Sequence, residues 1–124
     1  MSADILQVLL LLRNQVKVYH WQTMSFARHK ATDDLVAALD THIDTFTEVY
    51  MGKYGRPHFT AKHSTLRLYD LSDKKGHRVL EEAVKWLVND LPKHLKAKED
   101  SDLLNIRDEI VADLNRARYL FTLH

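Results

Sequence analysis

Apolar residues recur at the three-to-four-residue spacing of an α-helix in four stretches of the chain. Polar and charged residues occupy the positions between them, as on helices that bury one face, and Arg13, Gln15 and Lys17 on the first helix are predicted to face solvent. Gly and Pro are scarce and lie mostly between residues 52 and 92, so long helices are predicted elsewhere. The predicted helices cover residues 3–23, 25–51, 75–90 and 100–124.

The ends of these helices carry recognisable signals. Ser25 is a predicted N-cap, and Gly52 is predicted to end the second helix. Pro92 is predicted to stop or kink the third, and the pair Asp100-Ser101 is predicted to cap the start of the fourth. The predicted core stripes are Ile5, Leu9, Leu12, Val16 and His20 on the first helix; Leu35, Leu39, Ile43, Phe46 and Tyr50 on the second; Leu80, Val84, Leu87 and Leu91 on the third; and Leu103, Ile106, Ile110, Leu114 and Leu120 on the fourth.

Residues 53–73 have no clean periodicity, and their Gly, Pro, Ser and Thr content indicates a connector. A connector of this length is unusual in a compact domain unless it crosses a bundle or serves an interface. The pattern therefore predicts one all-α domain over residues 1–124, an antiparallel four-helix bundle with one long crossover connection.

Composition narrows the functional classes. The chain has 18 Lys and Arg against 17 Asp and Glu. It lacks the excess of positive charge that favours binding to nucleic acid. It has no cysteine, so any metal must be bound through nitrogen and oxygen. The apolar run at residues 5–12 is too short to span a membrane, and a cytoplasmic protein is expected.

A band of ligand-type side chains follows one side of the second predicted helix. It consists of His29, Asp33, Asp40, Asp44 and Glu48, which lie beside the apolar stripe at the edge of the bundle. A second subunit docking there would bring carboxylates and imidazoles together in a set suited to iron, manganese or zinc. Helical charge bands are more often solvated surface, and periodicity alone leaves both interpretations open.

His20 shares a face with the core residues of the first helix, so it is predicted to point inward. An inward histidine is either a hydrogen-bonded core residue or a ligand. His42 is expected to point away from the acidic band. His58 and His63 lie in the connector, where their five-residue spacing fixes no shared helical face. Surface positions are expected for His77, His94 and His124.

The pattern as a whole resembles the Dps miniferritins, of which the chain would be a shortened, divergent member. The resemblance depends on the pair His20-Trp21 and on acidic residues four, fifteen and nineteen positions after His29. The connector YGRPHFTAKH at residues 54–63 and the last helix are also similar to that family. The resemblance implies a ferritin-like bundle.

The resemblance also implies a di-iron ferroxidase site between two subunits of a homodimer or larger homo-oligomer. One chain would supply His20, His29 and Asp33, and its partner would supply Asp44 and Glu48. Fe(II) would be oxidised there by peroxide or dioxygen, which limits oxidative damage. Trp21 would pack beside the site or cap the core, and Asp40 is a possible second-layer residue. The alternatives are a zinc- or manganese-binding protein without redox turnover and a non-catalytic helical interaction module.

Overall fold

The computed structural model describes residues 3–123, and every regular element within that range is helical. No β-strand occurs among these residues, so the all-α prediction is confirmed. The four α-helices are α1 (Asp4–Gln22), α2 (Phe26–Tyr54), α3 (Asp73–Lys85) and α4 (Ser101–Leu120). Shorter elements are a 3₁₀ turn at Ala61–His63, a π-helical turn at Trp86–Asp90 and a 3₁₀ turn at Leu91–His94.

Two predicted boundaries of α2 had different outcomes. Ser25 is the N-cap, and its hydroxyl accepts a hydrogen bond from the Arg28 N–H at 3.2 Å, as predicted. The predicted stop at Gly52 is wrong, because α2 continues for three further residues and ends before Gly55. Gly55 has φ of 81°, the left-handed conformation that a glycine adopts readily at the end of a helix.

The third helix, in contrast, ends earlier than predicted. Its α-helical part ends at Lys85, and a wider π-helical turn follows before Pro92. Within that turn the Leu91 N–H bonds to the Trp86 carbonyl, five residues back. Pro92 has no N–H and its ring excludes an α-helical carbonyl four residues earlier, which explains the change of pitch at this point.

Contacts between helices fix their directions. α1 and α2 are antiparallel, because the contacts of Arg13 with Asp40 and of His20 with His29 run in opposite order along the two helices. α2 and α4 are antiparallel as well, because the contacts of His42 with Asp113 and of Lys53 with Asp102 run in opposite order along the two helices.

α3 packs antiparallel to α4, with Glu81 beside Arg118 and the Leu87 carbonyl beside Arg107. α2 and α3 therefore run in the same direction. A long connector between α2 and α3 is required, as predicted.

The connector follows α1 from one end to the other. Its Lys62 carbonyl accepts from Gln7, and both main-chain polar groups of Tyr69 bond to the Gln15 side chain, at 2.8 and 2.9 Å. Gln15 is buried as a result, whereas helical periodicity predicted that it would face solvent. The chain thus returns to the far end of α1 before α3 begins.

The helices enclose one core made of the predicted stripes. Gly76 allows α3 to touch α1, because a side chain at that position would collide with the ring of Tyr19. The buried core residues include Ile5, Leu9, Leu12, Val16, Leu35, Leu39, Ile43, Phe46, Tyr50, Leu80, Leu87, Leu91, Leu103, Ile110 and Leu114, while Val84, Ile106 and Leu120 are partly buried against them.

Candidate metal-binding site

Two histidines meet at the turn between α1 and α2. His20 is near the end of α1 and His29 is in the first turns of α2, and the short turn at residues 23–25 brings them together. Their imidazole rings stack, with centroids 3.9 Å apart and planes inclined by 18°. His20 is buried, as predicted, and His29 is exposed.

Each imidazole is held by the main chain of the other residue. His20 Nδ1 lies 2.9 Å from the His29 carbonyl oxygen, and His29 Nδ1 lies 3.0 Å from the His20 carbonyl oxygen. A carbonyl only accepts, so Nδ1 carries the proton in both rings. The two Nε2 atoms retain their lone pairs and make no hydrogen bond within residues 3–123. Metal-binding histidines characteristically have this arrangement, with one nitrogen held and the other open.

Thr32 reinforces the orientation of His20. Its hydroxyl lies 2.9 Å from His20 Nδ1 and donates its own hydrogen to the Arg28 carbonyl at 2.7 Å. The hydroxyl oxygen therefore faces the imidazole as an acceptor. Since Thr32 is fully buried, this contact does not compete with water.

Electrostatics keep His20 neutral. Burial is the main cause that lowers its pKa, and the neighbouring His29 and Lys17 lower it further. The His29 carbonyl and the charge of Asp33 oppose this shift in pKa. A neutral imidazole is the form that binds a metal ion.

The predicted carboxylates lie in two groups along α2. Asp33 is one turn after His29 and is exposed. Asp44 and Glu48 are a turn apart farther along. The hydrogen bond that protonated Glu48 donates to the Asp44 carboxylate, together with the charge of Asp44, raises the pKa of Glu48. Asp33 and Asp44 are separated by three helical turns, on the order of 16 Å. Within residues 3–123 of one chain, no three His, Asp or Glu side chains form a metal-binding group.

Of the two possible second-layer residues, Asp40 lies in the band on α2 and Trp21 lies near the end of α1. Arg13 engages the Asp40 carboxylate at 2.8 and 3.3 Å. Trp21 is 68% exposed, with the Lys17 ammonium 5.3 Å from its ring centroid. This exposure contradicts the interpretation in which Trp21 caps the core.

Some of the buried polar groups were not anticipated from the sequence. His63, which lies in the connector, is buried, with Nε2 2.7 Å from Asp4 and Nδ1 accepting from the Thr60 N–H. Asp100 was recognised only as a capping residue. It is fully buried and accepts hydrogen bonds from the Tyr54 hydroxyl at 2.6 and 2.7 Å. Neither pairing has a sequence signal, because the partners are far apart along the chain.

His42 points away from the acidic band, as predicted. It lies 2.6 Å from Asp113 and 3.3 Å from Glu109, both on α4. Among the described residues, no helix has both the length and the apolar content needed to cross a bilayer.

The described residues thus form an all-helical protein with a stacked histidine pair at the turn between α1 and α2. The chain belongs to a family of unknown function, DUF5856, whose model matches residues 20–121. It is also similar to an uncharacterized 14.6 kDa protein from the mobD-ri intergenic region of Enterobacteria phage T4. The two are 29% identical over 104 residues, which is 84% of this chain and 74% of the phage protein. No solved structure matches the chain.

These findings correct the identification as a Dps miniferritin, which was wrong. The family model covers the residues that carried the resemblance, and it is not a ferritin family. The resemblance depended on acidic residues at helical spacing after a histidine. Any helix with a charged edge produces such spacings, so the pattern identifies a ligand-rich helix edge without identifying a family.

Proposed function

We propose that two copies of the chain associate through the face formed by α1 and α2 and bind metal ions between them. Each site combines His20, His29 and Asp33 of one chain with Asp44 and Glu48 of the partner subunit. We further propose that Fe(II) is oxidised at this site. The ferritin-like arrangement of the bundle belongs to the same proposal, supported by a long connector between two helices that run in the same direction.

The observation that carries this proposal is the orientation of the histidine pair. Both Nδ1 atoms are committed to main-chain carbonyls, so both Nε2 atoms are available on adjacent stacked rings. A histidine that serves only to fill the core can be accommodated with a hydrogen bond at one ring nitrogen. Two histidines held in the same way, with Asp33 one turn away, form half of a nitrogen and oxygen coordination shell.

The spacing along α2 supports a shared site. In two antiparallel copies of a helix, residues lie level when they are equidistant from the symmetry axis. His29 and Glu48 have their midpoint between Ala38 and Leu39, and Asp33 and Asp44 have the same midpoint. One two-fold axis through that point therefore brings both pairs together. An isologous interface of this kind is the commonest way in which identical chains associate.

The charges favour a cation. Asp44 and Glu48 are close enough to raise the pKa of Glu48, so a proton or a cation relieves their repulsion. Adding Asp33 of the partner subunit would increase the negative charge. Carboxylates stabilise Fe(III) over Fe(II), while the imidazoles accept Fe(II).

In the proposed reaction Fe(II) is the substrate. Two Fe(II) ions each lose one electron to one molecule of hydrogen peroxide, and two protons complete the reduction to two waters. Dioxygen is the alternative oxidant. A zinc- or manganese-loaded site without turnover would use the same ligands, and it is distinguished by metal binding without Fe(II) oxidation.

A non-catalytic interaction module is the second candidate. Three large apolar side chains surround the α1–α2 turn, with Trp21 68%, Met24 96% and Phe26 75% exposed. Clustered exposed apolar residues favour a protein contact. This candidate predicts association that does not depend on metal.

Crystals soaked anaerobically with Fe(II) test the proposal. Anomalous scattering is expected from iron between His20, His29 and Asp33 of one chain and the partner subunit's Asp44 and Glu48. Iron bound only within one chain, or no iron together with a stable monomer by light scattering at micromolar concentration, contradicts it. A dimer without iron favours the interaction module.

A further inference from the structure

A second surface feature lies on the opposite side of α1 from the histidine pair. It is a groove of about 490 Å³ between α1, the connector and α3, which we call the α1–α3 groove. Its volume is within the ~300–1,000 Å³ range of small-molecule sites. The apolar residues of its floor are Val8, Leu11, Leu12, Leu71, Val79 and Trp86.

The rim of the groove is cationic. Arg67 comes from the connector, and Lys75 and Arg78 come from the first turns of α3. All three are exposed, and none of their charged groups makes a hydrogen bond or ion pair within residues 3–123. The acidic residue on the rim, Glu82, lies 3.6 Å from Lys85. Unpaired cations over an apolar floor are complementary to an apolar molecule with an anionic end.

Two of the three cations, Lys75 and Arg78, flank one end of the groove, and Trp86 and Val8 form the other. Arg67 lies on the connector side, near Val8 and Leu11. Lys75 and Trp86 are separated along α3 by eleven residues, ~16 Å of helix. A saturated chain advances ~1.25 Å per carbon, from the ~1.52 Å carbon–carbon bond and tetrahedral geometry. Twelve carbons therefore span about the same length.

We propose that the α1–α3 groove binds a single-chain aliphatic carboxylate of medium length, with the carboxylate at Lys75 and Arg78 and the chain toward Trp86. A partner helix is a poorer occupant. Two turns of helix, as a cylinder ~10 Å across, fill on the order of 900 Å³, so a helix would rest on the rim instead of entering. This site is independent of the proposed metal site.

Titration with laurate below its critical micelle concentration tests the proposal. Trp86 fluorescence, measured in a Trp21→Phe background, and titration calorimetry report binding. The expected result is saturable binding of laurate at one site per chain, with dodecanol and dodecylammonium each binding ~10-fold or more weakly because the charged contact is lost or repulsive. Equal binding of laurate and dodecylammonium would overturn the proposal, since the cations would then play no part.

Charge-reversal variants provide the matched comparison. Lys75→Glu combined with Arg78→Glu is expected to weaken laurate binding ~10-fold or more. Lys74→Glu combined with Lys98→Glu changes the net charge equally outside the groove and is expected to leave binding unchanged. Equal effects in the two double variants contradict the proposal. Binding only to phosphatidylglycerol vesicles, or only to an acidic amphipathic peptide, also overturns it by assigning the groove to a membrane or a protein.

Discussion

The imidazole rings of His20 and His29 stack 3.9 Å apart, and the Nδ1 atom of each faces the main-chain carbonyl of the other. This reciprocal arrangement fixes both tautomers and leaves two nitrogen lone pairs available at the end of α1.

Thr32 tests whether the orientation of His20 matters for metal binding. Thr32→Val retains the shape but removes one of the two acceptors at His20 Nδ1 and leaves the His29 carbonyl. Affinity for Mn(II) or Zn(II) is therefore expected to fall ~10-fold, the lower end of the effect of losing a group that supports a metal ligand. Thr32→Ser retains the hydroxyl and is expected to bind nearly as tightly. Calorimetric titration measures both. Similar losses of metal affinity in Thr32→Val and Thr32→Ser would contradict this prediction, because they would show that packing at this buried position, and not the hydrogen bond, determines affinity.

Asp44 and Glu48 are expected to lower the stability of the metal-free fold, because their charges repel each other. They are expected to raise the stability of the metal-bound protein. Glu48 has a raised pKa in the folded chain, so its contribution to stability increases as pH falls through that pKa. Glu48→Gln should therefore leave the apo melting temperature equal or higher. It should also reduce the rise in melting temperature caused by Zn(II), because binding to the assembled form is weaker.

Asp40→Asn is the matched control for Glu48→Gln. Asp40 lies in the same acidic band but is paired with Arg13. The stabilisation by Zn(II) should remain close to that of the unmodified protein. Equal losses for Asp40→Asn and Glu48→Gln would mean that the band attracts cations without a defined site.

The lowered pKa of His20 predicts that stability depends on pH in the sense opposite to that of Glu48. Its pKa is lowered in the folded chain, so below the ordinary histidine pKa the unfolded state takes up a proton first. This contribution to stability is complete at neutral pH and is lost as pH falls from about 6.5 toward the lowered value. Urea unfolding at pH 7.5 and 5.5 should show a smaller loss for His20→Asn, whose amide still donates to the His29 carbonyl. An equal loss of stability between pH 7.5 and 5.5 in His20→Asn and in the unmodified protein would mean that other groups cause the loss.

The two helical glycines predict opposite responses to alanine. At Gly76 an added Cβ would collide with the ring of Tyr19, so Gly76→Ala is expected to destabilise the fold by ~1–3 kcal/mol. At Gly52 nothing lies within 4 Å of the added Cβ. Gly52→Ala is therefore expected to stabilise α2 by ~0.5–1 kcal/mol. Denaturant unfolding of both variants measures the difference, and equal effects would contradict the close approach of α1 and α3.

The sequence predicted the helices and core well, because burial of one helical face imposes a periodicity that can be read directly. It also predicted that His20 points inward. It failed where tertiary contacts override the local pattern. Gln15 is buried because its side chain hydrogen-bonds to the main chain of the distant Tyr69. His63 is buried because the Asp4 carboxylate accepts a hydrogen bond from its Nε2.

The candidate site was predictable only in part. Helical spacing placed His29, Asp33, Asp44 and Glu48 on one edge of α2, but it did not reveal the stacking of His20 on His29. That stacking depends on the geometry of the turn at residues 23–25, for which the sequence has no periodic signal. The family was misidentified because the same spacings arise on any helix edge that carries ligand-type residues.

Mixed dimers provide the most direct test of the shared metal site. Chains carrying His29→Ala and chains carrying Glu48→Gln are purified together through different tags, and the initial rate of Fe(II) oxidation is followed by ferric absorbance. Each variant alone should be inactive. The mixed dimer should regain activity, because one interface combines an intact His29 with an intact Glu48 while the other carries both changes. A mixed dimer no more active than either variant alone would contradict a site shared between two chains.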